Sequence, residues 1–372
     1  MTIEHTSPET HTQADFTFAV GTTKLACHGA RHVINGTHDS LIDDITQAFN
    51  IEKNEGNPYP IVVGVIPFDP TQQAHLFVPE KIQWDSQDNT PAAPEHTRTA
   101  QLVDASADDY VRAVNNALAR IKSGALEKVV LSRTVDVITE DTFDVAAIWS
   151  RLRRSYPEGF SFSVRTKQGH LIGSSPELVA GSKENMLHVF PLAGSAQRGT
   201  TPAEDDAIVA NLLASHKDRK EHAIVVDEVV ENLARVADDV TVPHTPTVCS
   251  TPHLWHLGTS IRASLRPGVS SLEAALALHP TAAVCGRPSH IAASVISELE
   301  PHDRGNYAGL IGWMDAHGHG TWALTLRCAE VTGHTARLFA GAGIVTDSDP
   351  QKELQETTTK LRTMMDALGV VV

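Results

Sequence analysis

The chain has 372 residues, enough for one large domain or for two, and a formal charge of −15 at pH 7. That charge argues against a general surface for nucleic acid or anionic membranes, because both need basic patches. No apolar run is long enough to cross a membrane. We therefore expect an acidic enzyme with a small-molecule substrate, in which lysine, arginine or a metal supplies local positive charge for an anionic ligand.

The N-terminal residues 1–15 are polar and acidic. They resemble neither a secretory signal nor a transit peptide, and we expect a disordered tail on a cytoplasmic protein. The four cysteines are scattered without a CxxC pair, which suits a reducing compartment. The twenty histidines contain no two matched pairs at zinc-finger spacing, which argues against structural zinc.

Residues 16–80 alternate short apolar runs with polar breaks, a pattern that predicts strands and one helix near residues 39–50. Residues 83–99 are rich in Pro, Asn, Asp and Thr and predict a loop or linker. We expect this segment to mark a seam between an N-terminal part of the fold, residues 16–100, and a catalytic region, residues 101–372.

A helix is predicted over residues 106–122, stopped by Gly124, and the strand EKVVLSRTVDV follows. The two-residue period of this strand puts Lys128 on the same face as Val130 and Ser132. The pattern leaves two interpretations open: a lysine at a sheet edge whose head reaches water, or a lysine that points inward.

The segments SFSVRT and HLIGSS predict a hairpin, and Glu177 follows its Ser-Ser-Pro bend, where a carboxylate is usually a turn residue. Residues 281–289 predict a small-residue loop that can approach a ligand closely, followed by a helix near residues 290–299. A second hairpin pairs NYAGLIGWMDA with TWALTLRCAEV. Its second strand contains Arg327, which we expect to meet a carboxylate of the protein or of a substrate.

Two predicted helices each carry two carboxylates three residues apart, Asp218 and Glu221 in one and Glu353 and Glu356 in the other. The first helix begins at Thr201 and is predicted to run unbroken to residue 236. The second begins near Pro350, with Asp349 as its cap. Such acids are usually solvated surface, but two such helices side by side would offer oxygen ligands to a hard cation such as Mg²⁺.

Gly341 and Gly343 lie just before the second acidic helix, in GAGIVTD. The third glycine of a dinucleotide fingerprint is missing and the helix starts several residues later, which excludes a Rossmann interpretation. Two alternatives stay open, a tight turn or backbone N–H groups that face an anion.

Nine segments, in order, resemble the chorismate-utilising enzymes, and among them most closely the isochorismate synthases. They are EKVVLSR, GSSPELV, FPLAGSAQRG, SHKDRKEHAIVVDEV, TPHLWHLGTSIRA, LHPTAAVCGRP, RGNYAGLIGW, ALTLRCAEV and LFAGAGIVTDSDPQKELQET. The resemblance covers roughly residues 100–370 and is loose before them. It implies an α+β fold, a single large domain with two antiparallel sheets packed against flanking helices, which binds chorismate and Mg²⁺ in a cleft.

The resemblance also implies roles. Lys128 would activate water for attack at C2 of chorismate, which requires that it lose its proton, and Glu177 would protonate the departing 4-hydroxyl. The implied Mg²⁺ ligands are Glu221 and Glu356 directly, with Asp218 and Glu353 in support. Family members often have Glu in place of Asp218, so we expect a contact through water there.

The implied substrate-binding residues are Gly194, Ser195, His256, Ala283, Tyr307, Arg327, Gly341, Gly343 and Lys360. Gly194, Ser195 and Lys360 would lie near the ring carboxylate, which the metal would hold. Arg327, Tyr307 and the two glycine amides would hold the enolpyruvyl carboxylate, and His256 would position the ring.

Three positions separate the relatives. Anthranilate synthases carry glutamine at the position of Lys128, aminodeoxychorismate synthases commonly carry lysine at that of Ala193, and salicylate synthases typically carry threonine at that of Ala283. The resemblance therefore implies an isochorismate synthase that uses water, needs no glutaminase subunit and is a monomer. Its product would feed siderophore or menaquinone biosynthesis. The alternatives are a salicylate synthase and a non-catalytic chorismate-binding subunit.

Overall fold

The computed structural model describes residues 14–87, 90, 98–104 and 106–371. The predicted disordered tail, residues 1–15, lies outside this range except for its last two residues. The middle of the predicted linker also lies outside it.

The helices of the described part are Leu41–Asn54 (α1), Ala107–Lys122 (α2), Val145–Ser155 (α3), Pro202–Ala214 (α4), His216–Leu233 (α5), Ser271–Leu278 (α6), Ser289–Leu299 (α7) and Pro350–Leu368 (α8). The strands of the N-terminal half are Phe16–Val20 (β1), Thr23–His28 (β2), His32–Ile34 (β3), Ile61–Ile66 (β4), His75–Val78 (β5), Lys81–Asp85 (β6), Arg98–Thr99 (β7), Gln101–Val103 (β8), Lys128–Ile138 (β9), Phe160–Arg165 (β10), His170–Ser175 (β11) and Leu178–Lys183 (β12). The remaining strands are Met186–Phe190 (β13), Leu192–Gln197 (β14), Ala237–Thr241 (β15), Thr247–Ser250 (β16), Leu254–Gly258 (β17), Ile261–Leu265 (β18), Gly286–Arg287 (β19), Leu310–Asp315 (β20), Gly320–Leu324 (β21), Cys328–Thr332 (β22), Thr335–Ile344 (β23) and Val370–Val371 (β24).

Two large antiparallel sheets dominate the fold, as predicted. The ten-stranded sheet has the order β19-β9-β23-β22-β11-β10-β1-β2-β6, with β8 also paired to β9. The nine-stranded sheet has the order β15-β18-β13-β12-β21-β20-β4-β5-β3. Strands from before residue 100 belong to both sheets, because β1, β2 and β6 extend the first and β3, β4 and β5 extend the second. A small sheet, β14-β17-β16, stands beside them.

The main core contains buried side chains from both large sheets and from helices α1, α2, α5, α6 and α7. A second apolar cluster fixes α3 and α8 to the ten-stranded sheet, through residues such as Leu152 and Leu361. Within the described residues, no helix is long and apolar enough to span a bilayer. This packing holds one end of β9 and the start of α8 near each other, and the candidate site lies there.

The prediction of a loop over residues 83–99 is wrong at its start, because β6 pairs with β2 along Lys81–Asp85. Its Trp84 lies edge-on against Trp313 with ring centroids 4.9 Å apart. This cross-sheet contact gives an otherwise polar segment a reason to be a strand. Composition alone concealed the strand because the segment has few apolar residues.

The prediction of one unbroken helix after Thr201 is also wrong. The chain bends at Ser215, whose backbone is extended (φ −63°, ψ 117°) and whose hydroxyl accepts a hydrogen bond from the Asp218 N–H. Ser215 therefore ends α4 and caps α5. The predicted caps themselves are confirmed: Thr201 accepts from Glu204 N–H, and Asp349 accepts from the first turn of α8.

Glu177 and Arg327 both lie where the chain passes from one large sheet to the other, Glu177 between β11 and β12 and Arg327 between β21 and β22. The two connections touch, since Leu324 N–H donates to the Glu177 carbonyl (3.1 Å) and Ser174 N–H donates to the Arg327 carbonyl (3.2 Å). Arg327 has φ +48°. The prediction that Arg327 lies within a strand is wrong, because the chain must bend there to change sheets.

Candidate active site

The residues implied by the resemblance converge on one cavity. Twelve of the fifteen border it, namely Glu177, Gly194, Ser195, Glu221, His256, Ala283, Tyr307, Arg327, Gly341, Gly343, Glu356 and Lys360. The other three, Lys128, Asp218 and Glu353, lie directly behind members of this wall, as described below. Elements far apart in sequence therefore bring these side chains together.

Lys128 begins β9 and is fully buried. Its Nζ lies 3.1 Å from Oε1 of Glu221 on α5. The two meet beside Gly343, where an added Cβ would be 2.1 Å from the Glu221 oxygen and 2.9 Å from Cε of Lys128. The inward interpretation of Lys128 is confirmed, and the lysine lies directly behind Glu221 and Gly343 of the cavity wall, where a side chain at position 343 would overlap both.

Glu177 is buried at the crossing between the two sheets. Burial raises the pKa of its carboxyl from 4.5 to about 7, against the opposing effects of a backbone hydrogen bond from Leu192 and of the positive charges on Lys128, Arg327 and Lys360. A carboxyl with a pKa of about 7 is about half protonated near neutral pH, and its protonated form can donate a proton. This residue is therefore not a solvated turn carboxylate.

Arg327, also buried, has no carboxylate ion-pair partner in the described part of the chain. Burial lowers the pKa of its guanidinium, and Glu177 and Glu356 oppose this shift from a distance. The phenol oxygen of Tyr307 lies beside Gly341, whose added Cβ would approach it to 3.0 Å. A buried cation that lines a cavity and lacks a protein partner is suited to a ligand carboxylate.

His256 lies on β17 in the cavity wall, and its Nε2 is buried with no hydrogen-bond partner among the described residues. Burial and the nearby charges of Arg327 and Lys360 hold its pKa well below 6.5. A neutral imidazole with an unused polar atom toward a cavity can bind a polar group of a ligand.

The four predicted metal-site acids lie near each other across α5 and α8. Lys217 of α5 donates to Oε1 of Glu353 at 2.7 Å. The negative charges of Glu221 and Glu356 contribute to the raised pKa of Asp218. Two of the acids, Glu221 and Glu356, border the cavity and the other two stand behind it.

Lysines accompany these acids. Lys360 lies 2.6 Å from Oε1 of Glu356 and donates to the Gly341 carbonyl at 2.8 Å, and Ser195 donates to the same Glu356 oxygen at 3.3 Å. Gly194 has φ +79°, and an added Cβ would lie 3.0 Å from Cβ of Asp218. A strand that approaches the acidic helix this closely requires glycine.

The donor set fits a hard divalent cation, because carboxylate and hydroxyl oxygens converge there without thiols. Among the described residues, however, three His, Cys, Asp or Glu ligand atoms within 4.8 Å of one another occur at His32, Glu52 and Glu55, and no three of the four acids come that close. That second cluster lies at the end of α1, where Glu52 already accepts from Asn57 and lies near His32 and Arg31. Glu221 and Glu356 border the cavity that the other site residues line, so this cavity remains the candidate metal site.

Gly341 and Gly343 both lie in β23, opposite Ser132 and Val130 of β9. The tight-turn interpretation of these glycines is therefore wrong. They are in a strand, and the crowding by Tyr307, Glu221 and Lys128 explains why they have no side chains.

Comparison with known proteins agrees with this geometry. The family model described as chorismate binding enzyme matches residues 69–369, which includes every residue of the cavity wall. The chain belongs to the chorismate-binding enzymes. The match begins before residue 100, so the family's fold includes part of the segment that the motifs resembled only loosely.

Several relatives of this chorismate-binding enzyme are named isochorismate synthases. DhbC of Bacillus subtilis is 38% identical over 89% of the chain and 86% of its own length, and EntC of Escherichia coli K12 is 38% identical over 86% and 83%. The vibriobactin-specific isochorismate synthase of Vibrio cholerae is 35% identical over 99% and 94%.

Solved structures show the same fold. A crystal structure assigned as the 2,3-dihydroxybenzoate-specific isochorismate synthase DhbC of Bacillus anthracis has a TM-score of 0.91, with 36% identity and 97% of both chains covered. Anthranilate synthase component I of Streptococcus pneumoniae has a TM-score of 0.77 at 21% identity, over 98% of this chain and 94% of that one, and supports the fold alone.

Two residues of this chorismate-binding enzyme's site were missed from the sequence. Lys217 pairs with Glu353, and the charges of Glu353, Glu221 and Glu356 raise its pKa. His222 is buried and bonds the Ala193 carbonyl through Nδ1 (3.2 Å) and the Thr259 hydroxyl through Nε2 (2.7 Å). Both adjoin the acids singled out on α5, but helical spacing alone does not show which neighbour points inward.

The cavity is small, about 60 Å³. Pro176 and Arg327 also border a neighbouring cavity of about 570 Å³, lined by residues such as Tyr156, His188 and Arg198. The larger space contains none of the candidate metal ligands. It adjoins the site on the side of Arg327.

Proposed function

We propose that this protein is a Mg²⁺-dependent isochorismate synthase, which converts chorismate reversibly to isochorismate. The observation that carries the proposal is a cavity whose wall contains a buried carboxyl with a pKa of about 7, Glu177, and an arginine without a carboxylate partner among the described residues, with the buried Lys128 directly behind Glu221 of that wall. The names of the curated relatives support the same activity.

The reaction needs one base and one acid. Lys128 in its neutral form takes a proton from water as the water oxygen bonds to C2 of the ring. Both ring double bonds shift by one position, the C4–O bond breaks, and the departing hydroxyl takes the proton of Glu177. One water enters and one leaves, so product and substrate are isomers. Proton transfer from Lys128 back to Glu177 through solvent restores the starting state.

The substrate has two carboxylates, and the cavity has separate groups for each. Arg327 and Tyr307, with the amides of β23 at Gly341 and Gly343, are suited to the enolpyruvyl carboxylate, because Arg327 has no carboxylate partner of its own in the described chain. His256 offers its Nε2 to the ring substituents. Ser195 and Lys360, together with Gly194, surround the place for the ring carboxylate.

Mg²⁺ bound by Glu221 and Glu356 would neutralise and hold the ring carboxylate. Asp218 and Glu353 would act through water or by orienting these ligands, since they stand behind the cavity wall. Lys217 holds Glu353, and Lys360 holds Glu356. These lysines limit the negative charge that the acids would otherwise present to a dianionic substrate.

The test is the origin of the oxygen at C2. Incubation with chorismate and Mg²⁺ in ¹⁸O-labelled water should give isochorismate that carries ¹⁸O on C2, as measured by mass spectrometry with fragment assignment. Isochorismate without label would show that the 4-hydroxyl migrates within the molecule, and the assignment of Lys128 as the base for water would be wrong.

A further inference from the structure

Strand β9 begins with Lys128. Along the middle of its outer edge, side chains rather than a neighbouring strand form hydrogen bonds with its backbone. Strand β19 covers Lys128 and Val129 at one end, and β8 covers residues 136–138 at the other. Between them the Val130 N–H donates to the Cys285 carbonyl at 2.8 Å, whereas the Val130 carbonyl and the Ser132 N–H face the segment after α7. An uncovered stretch in a buried strand would leave backbone groups without partners, at a large cost.

Glu300 and Arg304 cover this gap. Arg304 donates from Nη2 to the Val130 carbonyl at 2.8 Å, and Glu300 accepts from Ser132 N–H at 2.6 Å. The Arg304 donor and the Glu300 acceptor thus take the place of the backbone hydrogen bonds that a neighbouring strand would form. The pair is internally bonded, with Arg304 Nε and Nη2 at 2.9 and 2.6 Å from the two Glu300 oxygens.

Arg304 also reaches a second part of the site. Its Nη1 donates to the Val284 carbonyl at 2.7 Å. Val284 follows Ala283, and both border the cavity. Five donors in a planar fork allow one arginine to hold two carbonyls and a carboxylate at the same time, which a lysine cannot do.

The pair is held rigidly. The side chains of Glu300 and Arg304 are 2% and 3% exposed, and the Arg304 guanidinium lies 4.4 Å from the ring centroid of Phe68. His302 bonds the Ser132 hydroxyl at 3.1 Å. Neither Glu300 nor Arg304 borders the cavity, and their side chains bond to each other and to the backbone of β9 and of Val284.

We propose that Glu300 and Arg304 are positioning residues that fix the strand of Lys128 relative to the loop of Ala283. The inference rests on the proposed function, because it assigns the pair to the step in which Lys128 activates water. Val130 and Ser132 stand opposite Gly343 and Gly341 in the sheet. A shift of this strand edge therefore moves the base and both glycines together.

The test compares Arg304→Lys and Glu300→Gln with wild type. We expect kcat with chorismate to fall about 30- to 100-fold in Arg304→Lys, because displacements of about 1 Å cost rates of that order. Glu300→Gln, which keeps its shape and an acceptor for Ser132, should lose about 10-fold. The KM for chorismate should change less than kcat does, and the Mg²⁺ affinity measured by calorimetry should change less than threefold in both, because Arg327 and the acids are not moved.

Arg337→Lys is the matched control. Arg337 of β23 forms two hydrogen bonds, at 2.8 and 3.0 Å, with the carboxylate of Asp136, which lies on β9 like Lys128. Neither residue borders the cavity. The Arg337→Lys variant should keep wild-type kcat. If Arg304→Lys does not fold, Glu300→Gln alone decides. A kcat within twofold of wild type in the folded variant, or a parallel loss of kcat, KM and Mg²⁺ binding, overturns the positioning role. An inactive wild type would instead overturn the proposed function.

Discussion

The Nζ of Lys128 lies 3.1 Å from Oε1 of Glu221, and both side chains are almost fully buried. The candidate base and a candidate metal ligand thus form one ion pair beneath Gly343. Removal of one partner leaves the other charge buried without compensation, which typically costs 3 to 5 kcal/mol. Substitutions at either position must therefore be judged by folding as well as by activity.

Lys128→Gln should reduce kcat by about 10³-fold, because an amide cannot accept the proton of water. A glutamine amide can still donate a hydrogen bond to Glu221, so we expect a folded protein. Thermal unfolding should show one cooperative transition. Kinetics at saturating chorismate and Mg²⁺ measure the loss, and activity within 10-fold of wild type would remove Lys128 as the base.

Activity should fall as the pH rises through about 7, because Glu177 must be protonated to act as the acid and burial raises its pKa to about 7. The pH dependence of kcat/KM measures this limb. Glu177→Gln should lose about 10³-fold in kcat, since its amide cannot supply the proton to the departing hydroxyl. An alkaline limb that remained unchanged in this variant would assign the titration to another group.

Stability supplies an independent test of the same carboxyl. The folded chain holds the Glu177 proton more tightly than the unfolded chain, whose value is 4.5, so this group lowers stability as the pH rises from 4.5 through 7. The Tm of Glu177→Gln minus the Tm of wild type should therefore be a few degrees larger at pH 8 than at pH 5. A difference between the two proteins that did not depend on pH would contradict the raised pKa.

Glu221→Gln and Glu356→Gln should each weaken Mg²⁺ binding by roughly 100-fold, since each removes a charged oxygen ligand at the cavity. Calorimetry without substrate measures this directly. Asp227→Asn is the control, because Asp227 is an exposed acid on the same helix as Glu221. Unchanged Mg²⁺ affinity in both glutamine variants would show that the metal binds elsewhere, and the cluster of His32, Glu52 and Glu55 would be examined next.

Gly343→Ala should abolish most activity and cost about 1 to 3 kcal/mol in stability, because the new methyl group would overlap Glu221 and crowd Lys128. Gly181→Ala is the control in the other large sheet, where the nearest atom to an added Cβ is a leucine methyl at 3.4 Å. Chemical denaturation and initial rates measure both effects. Full activity in Gly343→Ala would mean that Lys128 does not need the space beside Gly343 to activate water.

The sequence predicted the features that depend on local spacing. The helix caps at Thr201 and Asp349 were predictable because a capping side chain accepts from backbone N–H groups only two or three residues later. The residue types at such short spacing can be recognised in the sequence. The strand of Lys128 was predictable because β-branched and other apolar residues, such as Val129 and Val130, follow it. Motif resemblance then identified all twelve of the named residues that border the cavity.

Features that depend on which elements meet were not predictable. Arg327 and Glu177 lie at crossings between sheets, and no residue pattern shows that adjacent strands belong to different sheets. Glu300 and Arg304 read as an ordinary i, i+4 ion pair after a helix. Their contact with β9 joins residues more than 160 positions apart, and only the tertiary fold reveals it.

The most direct test of the account is chromatography of the products formed from chorismate and Mg²⁺ by the purified protein, with EDTA as a control and without ammonia or glutamine. We predict isochorismate in equilibrium with chorismate, and no product when EDTA is present. Salicylate with pyruvate as the main products would contradict the specificity assigned to Ala283. The absence of any product with Mg²⁺ present would contradict the central claim that this site is catalytic.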